Sequence, residues 1–287
     1  MDLNSLWNYN EPKESEKKFR DLLNLTPISE NELYIEILTQ ISRSEGLQTN
    51  FDAAHKTLDL AESMLTQNMV IPQIRYNLER GRVFRSSGFP EKGVDYFLKA
   101  YNVANANSQD YYTIDALHML ALIGDIKDQI KWSNIAISHI ENSKDLNSKN
   151  WLGALLNNTG WSYFNLENYD EALKLFIKTE LFYNELGKIE PTIIAKWCQA
   201  KMLRYLGRVH ESLDLQLTIE KERTDNSLSE DGYIHEEIAE CLLTLGLKKE
   251  ASIRFGNAYN LLSTDVWLQK DELSRLERMK ELSINID

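Results

Sequence analysis

Histidines, cysteines and paired carboxylates are the side chains through which a protein binds a metal, moves a proton or attacks a substrate. The histidines here are His55, His118, His139, His210 and His235. No two stand four residues apart, the spacing that puts two imidazoles on one helix face for zinc. His235-Glu236-Glu237 lacks the second histidine of a zinc-protease helix. Cys198 and Cys241 are isolated from each other in sequence and read as buried structural thiols. Acidic pairs such as Glu236-Glu237 read as solvated helix faces. No GxxxxGK[ST], GxGxxG or GxSxG string supplies a phosphate cradle or a nucleophile elbow. The expectation is a non-catalytic protein with no metal and no cofactor; an enzyme with an unrecognised site is the remote alternative.

Composition bounds the classes further. The 287 residues carry 32 Lys+Arg against 44 Asp+Glu, a formal net charge of −12. That balance argues against a nucleic-acid partner, since phosphate binding needs a cationic surface. With 43% hydrophobic residues the chain is too apolar for a disordered protein. Two cysteines cannot build a disulfide framework, which fits a reducing compartment. No run of about 18 apolar residues predicts a membrane span, and the N-terminus has no basic segment leading into an apolar one. A cytoplasmic protein without a membrane partner is the expectation.

The elements that would position any site are helices. Apolar residues recur at three- and four-residue spacing, as at Leu173, Phe176, Ile177 and Leu181. Pro12, Pro27, Pro72, Pro90 and Pro191 stand where such segments begin, because proline inside a helix removes a donor and clashes with the preceding turn. Ser29-Glu30-Asn31-Glu32 predicts a capping box ahead of Leu33, Ile35 and Leu38.

The stretch from Leu155 to Phe176 resembles a tetratricopeptide repeat. That family places a small residue at position 8, aromatics at 11, 17 and 24, a turn near 15 and a small residue at 20. Here these are Gly160, Tyr163, Tyr169, Phe176, Glu167-Asn168 and Ala172. Keeping that spacing places position 8 of six units at Ser42, Gly81, Leu117, Gly160, Ala200 and Ala239. Position 20 falls at Ala54, Gly93, Gln129, Ala172, Ser212 and Ala251. Ten of these twelve are Gly, Ala or Ser, as two closely crossing helices require. Only Leu117 and Gln129 of the third unit depart. Gly88, Gly124, Gly207 and Gly246 fall at position 15, where the turn favours a positive φ; Asn50 and Asn168 are expected to serve nearby in the other two units. The segments Arg43–Asp59, Ala195–Val209 and Asp231–Leu243 further resemble a group of bacterial tetratricopeptide proteins without assigned activity.

This resemblance implies an all-α, right-handed superhelical solenoid of about six helix pairs. Residues 1–29 form an N-terminal capping helix, 30–266 the repeat array and 267–287 a C-terminal capping helix, with single helices expected over 12–25 and 268–284. The array is expected to unfold as one cooperative body. The first helix of each pair lines a concave face, with positions 2, 5, 9 and 12 pointing into it. Those positions hold Arg43, Arg75, Arg82, Arg85, His118, Asn157, Trp161, Trp197, Lys201 and Arg204. In the last unit Glu240 takes position 9, beside Glu236 and Glu237.

Two readings fit that stripe. In one, the cations meet an acidic peptide or a free carboxylate and the tryptophans supply apolar contact. In the other, the cations pair with carboxylates of neighbouring units and the tryptophans are core. On the first, the negative charge lies on outer faces, loops and the last unit. The expected function is a scaffold binding a protein or peptide segment. An intracellular sensor of a small peptide, acting on a separate effector, is the alternative. Nothing in the sequence fixes an oligomeric state.

Overall fold

A two-helix unit needs a turn that reverses the chain and small residues where its helices cross; both recur along this molecule. The computed structural model describes residues 3–284. A short 3-10 helix (Leu3–Leu6) and α1 (Pro12–Leu25) precede the repeats. Then follow α2 (Asn31–Leu47), α3 (Phe51–Met64), α4 (Val70–Ser86), α5 (Pro90–Ala106), α6 (Asp110–Ala121) and α7 (Ile126–Asn142). A single turn, α8 (Leu146–Lys149), leads into α9 (Leu152–Asn165), α10 (Tyr169–Glu185), α11 (Ile189–Tyr205), α12 (Val209–Asp225), α13 (Gly232–Thr244) and α14 (Lys248–Leu262). α15 (Val266–Asp271) and α16 (Leu273–Ile284) close the described chain. No strand occurs among the described residues. The chain divides into two compact units, one ending at Leu155 and one starting at Leu156, inside α9.

α2–α3, α4–α5, α6–α7, α9–α10, α11–α12 and α13–α14 are the six pairs, each with a first helix A and a second helix B. Their crossings follow the small-residue register. Ser42 Oγ donates to the Ala54 carbonyl at 3.0 Å, and Ser212 Oγ to the Ala200 carbonyl at 2.6 Å. A Cβ on Gly93 would lie 2.9 Å from the Gly81 carbonyl. The aromatic at position 24 covers the crossing: a Cβ on Gly81 would meet the Phe97 ring at 2.6 Å, and one on Gly160 the Phe176 ring at 2.7 Å. Phe97, Phe176 and Phe255 are fully buried, each worth about 1.5–3 kcal/mol of transfer energy. In the third pair Ser133 stands at the aromatic position and Leu117 is fully buried. The smaller side chain on B leaves room for the larger one on A. α7 begins three residues before Gln129, as every B helix begins three before its position-20 residue.

The turns correct one expectation. All six A-to-B turns hold a left-handed residue at position 15, with φ of 91°, 96°, 78° and 77° at Gly88, Gly124, Gly207 and Gly246. In the other two it is Thr49 (φ 63°) and Glu167 (φ 58°), not Asn50 and Asn168. Asn50 and Asn168 follow, donating their N–H to the carbonyls of Glu45 and Tyr163 at 2.9 and 3.0 Å. This is the six-to-one bond of a Schellman turn, which dictates the position one residue earlier as the left-handed one. The Asn168 side chain instead caps α10, accepting from the Glu171 N–H.

Two further details differ from the sequence reading. Ser29 to Glu32 form no capping box: Glu30 is the N-cap of α2 and makes no side-chain cap bond. The C-terminal helix is broken at Glu272, with Asp265 capping α15 through the N–H groups of Trp267 and Leu268. α1 covers the span expected, with Phe19 and Ser15 buried.

Candidate functional site

The stripe residues lie on the A helices, and the structure pairs most of the cations with carboxylates. In the first compact unit Arg43 contacts Glu79 at 3.3 Å, and Arg82 contacts Glu79 at 2.6 Å and also Asp115. Arg75 lies 3.0 Å from Glu36. In the second, Lys201 and Arg204 converge on Glu237 at 2.6 and 2.8 Å. Three of these pairs, Arg43–Glu79, Arg82–Asp115 and Lys201–Glu237, share a rule: a cation at position 9 of one A helix meets a carboxylate at position 6 of the next. The sequence reading missed position 6. Glu79, Asp115 and Glu237 are 2%, 4% and 1% exposed, so the negative charge is not confined to outer faces and the last unit.

Glu236-Glu237 is likewise no solvated pair. Burial pushes the Glu237 carboxyl up, but Lys201 and Arg204 outweigh it and hold it below the usual range. Glu236 is buried and accepts both Arg275 Nε and Nη2, at 2.7 and 2.6 Å. Arg278 of α16 pairs with Glu240. The buried arginine pKa values rise: desolvation opposes the charge at Arg82 and Arg204, and their carboxylate partners more than offset it.

Arg85 is the exposed cation of the stripe, and it has no ion-pair partner among the described residues. With Arg43, Arg82, Leu47, Val83 and Met119 it lines a cavity of about 200 Å³. His118 is half-buried, its ring 5.0 Å from that of Trp151 and its Nδ1 without a hydrogen-bond partner among the described residues. Burial lowers its pKa. Asn157 is half-buried on α9.

The aromatic residues form a second theme. Trp161, Trp197 and Tyr233 come from the successive A helices α9, α11 and α13, with ring centroids 6.1 Å apart at each step. All three are half-buried. They line an open groove of about 470 Å³ together with Lys201, Arg204, Glu236, Glu237 and Glu240. Lys201 Nζ sits 5.1 Å from the Trp197 ring centroid, and the Arg275 guanidinium 5.4 Å from that of Tyr233. Each cation thus bridges an aromatic face and a carboxylate.

The N-terminal segment also reaches the A-helix face of the first unit. Trp7 and Tyr9 stack at 4.8 Å with their planes 2° apart. The Arg43 guanidinium lies 5.6 and 5.4 Å from their centroids. Trp7 Nε1 donates to Gln40 Oε1 at 2.9 Å, and Leu3 is buried. Gln40 is position 6 of the first A helix, so Trp7 fills the place that a preceding unit's cation would take. No spacing in the sequence marked this contact.

Cys198 and Cys241 are buried free thiols. Burial pushes Cys198 up to about 12 and raises Cys241. Among the described residues no three His, Cys, Asp or Glu side chains group as metal ligands, and no helix is long and apolar enough to cross a membrane.

No family model matches the chain, and no curated protein matches it. Solved structures do. A tetratricopeptide repeat protein from Parabacteroides merdae is 18% identical, with a TM-score of 0.52 over 96% of this chain and 93% of that one. A signal transduction ATPase with a tetratricopeptide repeat sensor, from Pyrococcus horikoshii, gives 0.73 at 11% identity, over 93% of this chain. This chain spans 41% of that larger protein. NprR in complex with its cognate peptide NprX gives 0.52 at 15% identity, over 97% and 81% of the two chains; its apo form from B. thuringiensis is described as a quorum sensor. The small-residue crossings, the left-handed turns and these likenesses agree: the chain has the tetratricopeptide-repeat fold.

Proposed function

We propose that this protein is a non-catalytic scaffold that binds a protein or peptide segment on its A-helix faces. The aromatic series Trp161, Trp197 and Tyr233 carries this reading: successive A helices present half-buried rings along one open groove. Aromatic side chains flanked by charge are the groups that anchor protein partners. An acidic or carboxylate-bearing partner draws support from the exposed Arg85 alone, because Arg43, Arg75, Arg82, Lys201 and Arg204 already hold carboxylates. In the second unit Glu236, Glu237 and Glu240 are likewise engaged, by Arg275, by Lys201 with Arg204, and by Arg278, so they set no charge preference on a ligand. A cytoplasmic, reducing location accords with the two free thiols, and the acidic surface disfavours nucleic-acid or membrane partners.

Charge reversal at Arg82 would leave buried Asp115 without its cation, and at Lys201 would set a like charge beside buried Glu237, so neither isolates binding from stability. Those peptides selected on the intact protein that occupy this groove should instead lose at least about tenfold in affinity, or 1.4 kcal/mol, in Trp161→Ala, with circular dichroism unchanged. Full affinity of every selected peptide in that variant would remove the Trp161 groove as a site.

A sensor is the second reading, favoured by the repeat sensor of the Pyrococcus horikoshii protein and by peptide-bound NprR. A selected peptide that changes the radius of gyration in solution scattering supports the sensor; an unchanged radius leaves the static scaffold.

A further inference from the structure

The first compact unit holds a groove of a different chemistry. It has a volume of about 560 Å³ and is lined by Asn4, Tyr111, Tyr112, Asn147, Asn150 and Trp151. Asn4 belongs to the N-terminal 3-10 helix, the tyrosines to the first turn of α6, and Asn147 and Asn150 to α8 and its C-cap. Among the described residues no acidic or basic side chain lines it, in a chain of which 26% is charged. Burial raises the pKa values of Tyr111 and Tyr112, so both hydroxyls stay neutral. The charges that act most strongly on the two tyrosine hydroxyls are engaged: Asp115 pairs with Arg82, and Arg75 pairs with Glu36 and lies 5.4 Å from the Tyr112 ring centroid.

A second observation concerns what already lies on this face. Residues 3–10, Leu-Asn-Ser-Leu-Trp-Asn-Tyr-Asn, carry no charged side chain. Trp7 and Tyr9 of this segment cover Gln40 and Arg43, and its Asn4 forms one wall of the groove. The face thus accommodates an uncharged stretch of aromatic and amide residues from the chain itself.

We propose that this groove binds an uncharged peptide segment rich in amide and aromatic side chains, laid beside residues 3–10. The assignment rests on the reading above that A-helix faces bind peptides, and adds to the Trp161 groove a second site, in the first unit, with its own ligand chemistry. An amide side chain donates and accepts at once, which matches the alternating N–H and C=O groups of a peptide main chain. The rings of Tyr111 and Trp151, 6.2 Å apart and tilted by 58°, provide apolar contact for its side chains. A charged ligand finds no opposite charge among the described lining residues.

The test uses the full chain and three synthetic hexapeptide libraries with blocked ends. One is built from Asn, Ser, Leu, Trp and Tyr; in the others Asp or Lys replaces Asn. Affinity selection read by mass spectrometry should enrich the neutral library over both charged ones by about tenfold or more, equivalent to 1.4 kcal/mol. Binding of the neutral hits should change little between low and high salt. It should be lost in Asn147→Ala/Asn150→Ala, whose exposed side chains leave the fold intact, and kept in Trp161→Ala. Enrichment of the acidic or basic library overturns the proposal, and so does Asn150-dependent binding of maltohexaose without any peptide. Neutral hits lost only in Trp161→Ala overturn this assignment while leaving the peptide-binding reading in place. Retention of no library overturns both.

Discussion

Replacing Thr49 and Glu167 by glycine should make the protein more stable. Both residues hold a left-handed backbone at the turn where the other four units have glycine. An L residue there costs about 1–2 kcal/mol, and glycine's greater freedom in the unfolded chain returns roughly 0.4–1 kcal/mol of that. The net gain is about 0.5–1 kcal/mol for each of Thr49→Gly and Glu167→Gly. Both side chains are exposed, so little packing is lost. For a cooperative body of 150–250 residues this corresponds to a rise in Tm of about 1–4 °C. The reverse control is Gly207→Ala: a Cβ there meets no atom within 4 Å, so the change isolates the backbone term and should lower stability by about 1 kcal/mol. Urea and thermal denaturation of the three variants measure all of this. A lower Tm in Glu167→Gly together with an unchanged Gly207→Ala would refute the assignment of strain to position 15.

Gly160→Ala should destabilise by about 1–3 kcal/mol, because its Cβ collides with the fully buried Phe176 ring; unchanged urea unfolding would contradict the helix crossing. Gln216 occupies the aromatic position of the fifth pair, is fully buried, and neither amide atom finds a partner among the described residues. Gln216→Met, of similar shape, should therefore raise stability by about 1–3 kcal/mol, and a fall in the urea midpoint would show that the amide is satisfied in solution. Burial lowers the pKa of His55, His118 and His235, helped at each by a nearby arginine. The unfolded chain then binds more protons, so stability is full above about pH 6.5 and falls as acid is added below it. A flat stability profile across that window, or one unaltered by His118→Phe, would contradict the buried neutral state.

The fold was legible because its determinants are local. Two helices crossing at a fixed spacing demand small residues, and Ser42, Gly81, Gly160, Ala200 and Ala239 announce them. The third unit is hidden for a physical reason: Leu117 and Ser133 exchange volumes across the crossing, so neither matches the pattern alone. The turn residues are legible where they are glycine and misassigned at Thr49 and Glu167, because asparagine next door looked the better left-handed residue. The sequence reading offered pairing between units as one of two alternatives for the stripe cations, but did not locate the carboxylates. Carboxylates at position 6 face the preceding helix, and a pattern restricted to positions 2, 5, 9 and 12 omits them. The signal was present as an acid placed three residues short of one repeat length after each paired cation, as for Arg43 with Glu79 and Lys201 with Glu237. Trp7 and Tyr9 left no such trace, since their role depends on the segment folding back.

The position-9 to position-6 pairing also bears on how the chain tolerates gain and loss of whole units. Removing the second pair would bring Arg43 opposite Asp115, and unlike charges would still meet. Removing a fraction of a unit would not preserve this, because every later cation would face the wrong turn of its neighbour. The final step reverses the sign: Glu240 supplies the acid and Arg278 of α16 the base. Were the sixth pair lost, Arg278 would confront Lys201 of the fifth. The second pair is thus removable without a clash of charge while the last is locked to its terminal helix, a grammar of duplication with a fixed full stop.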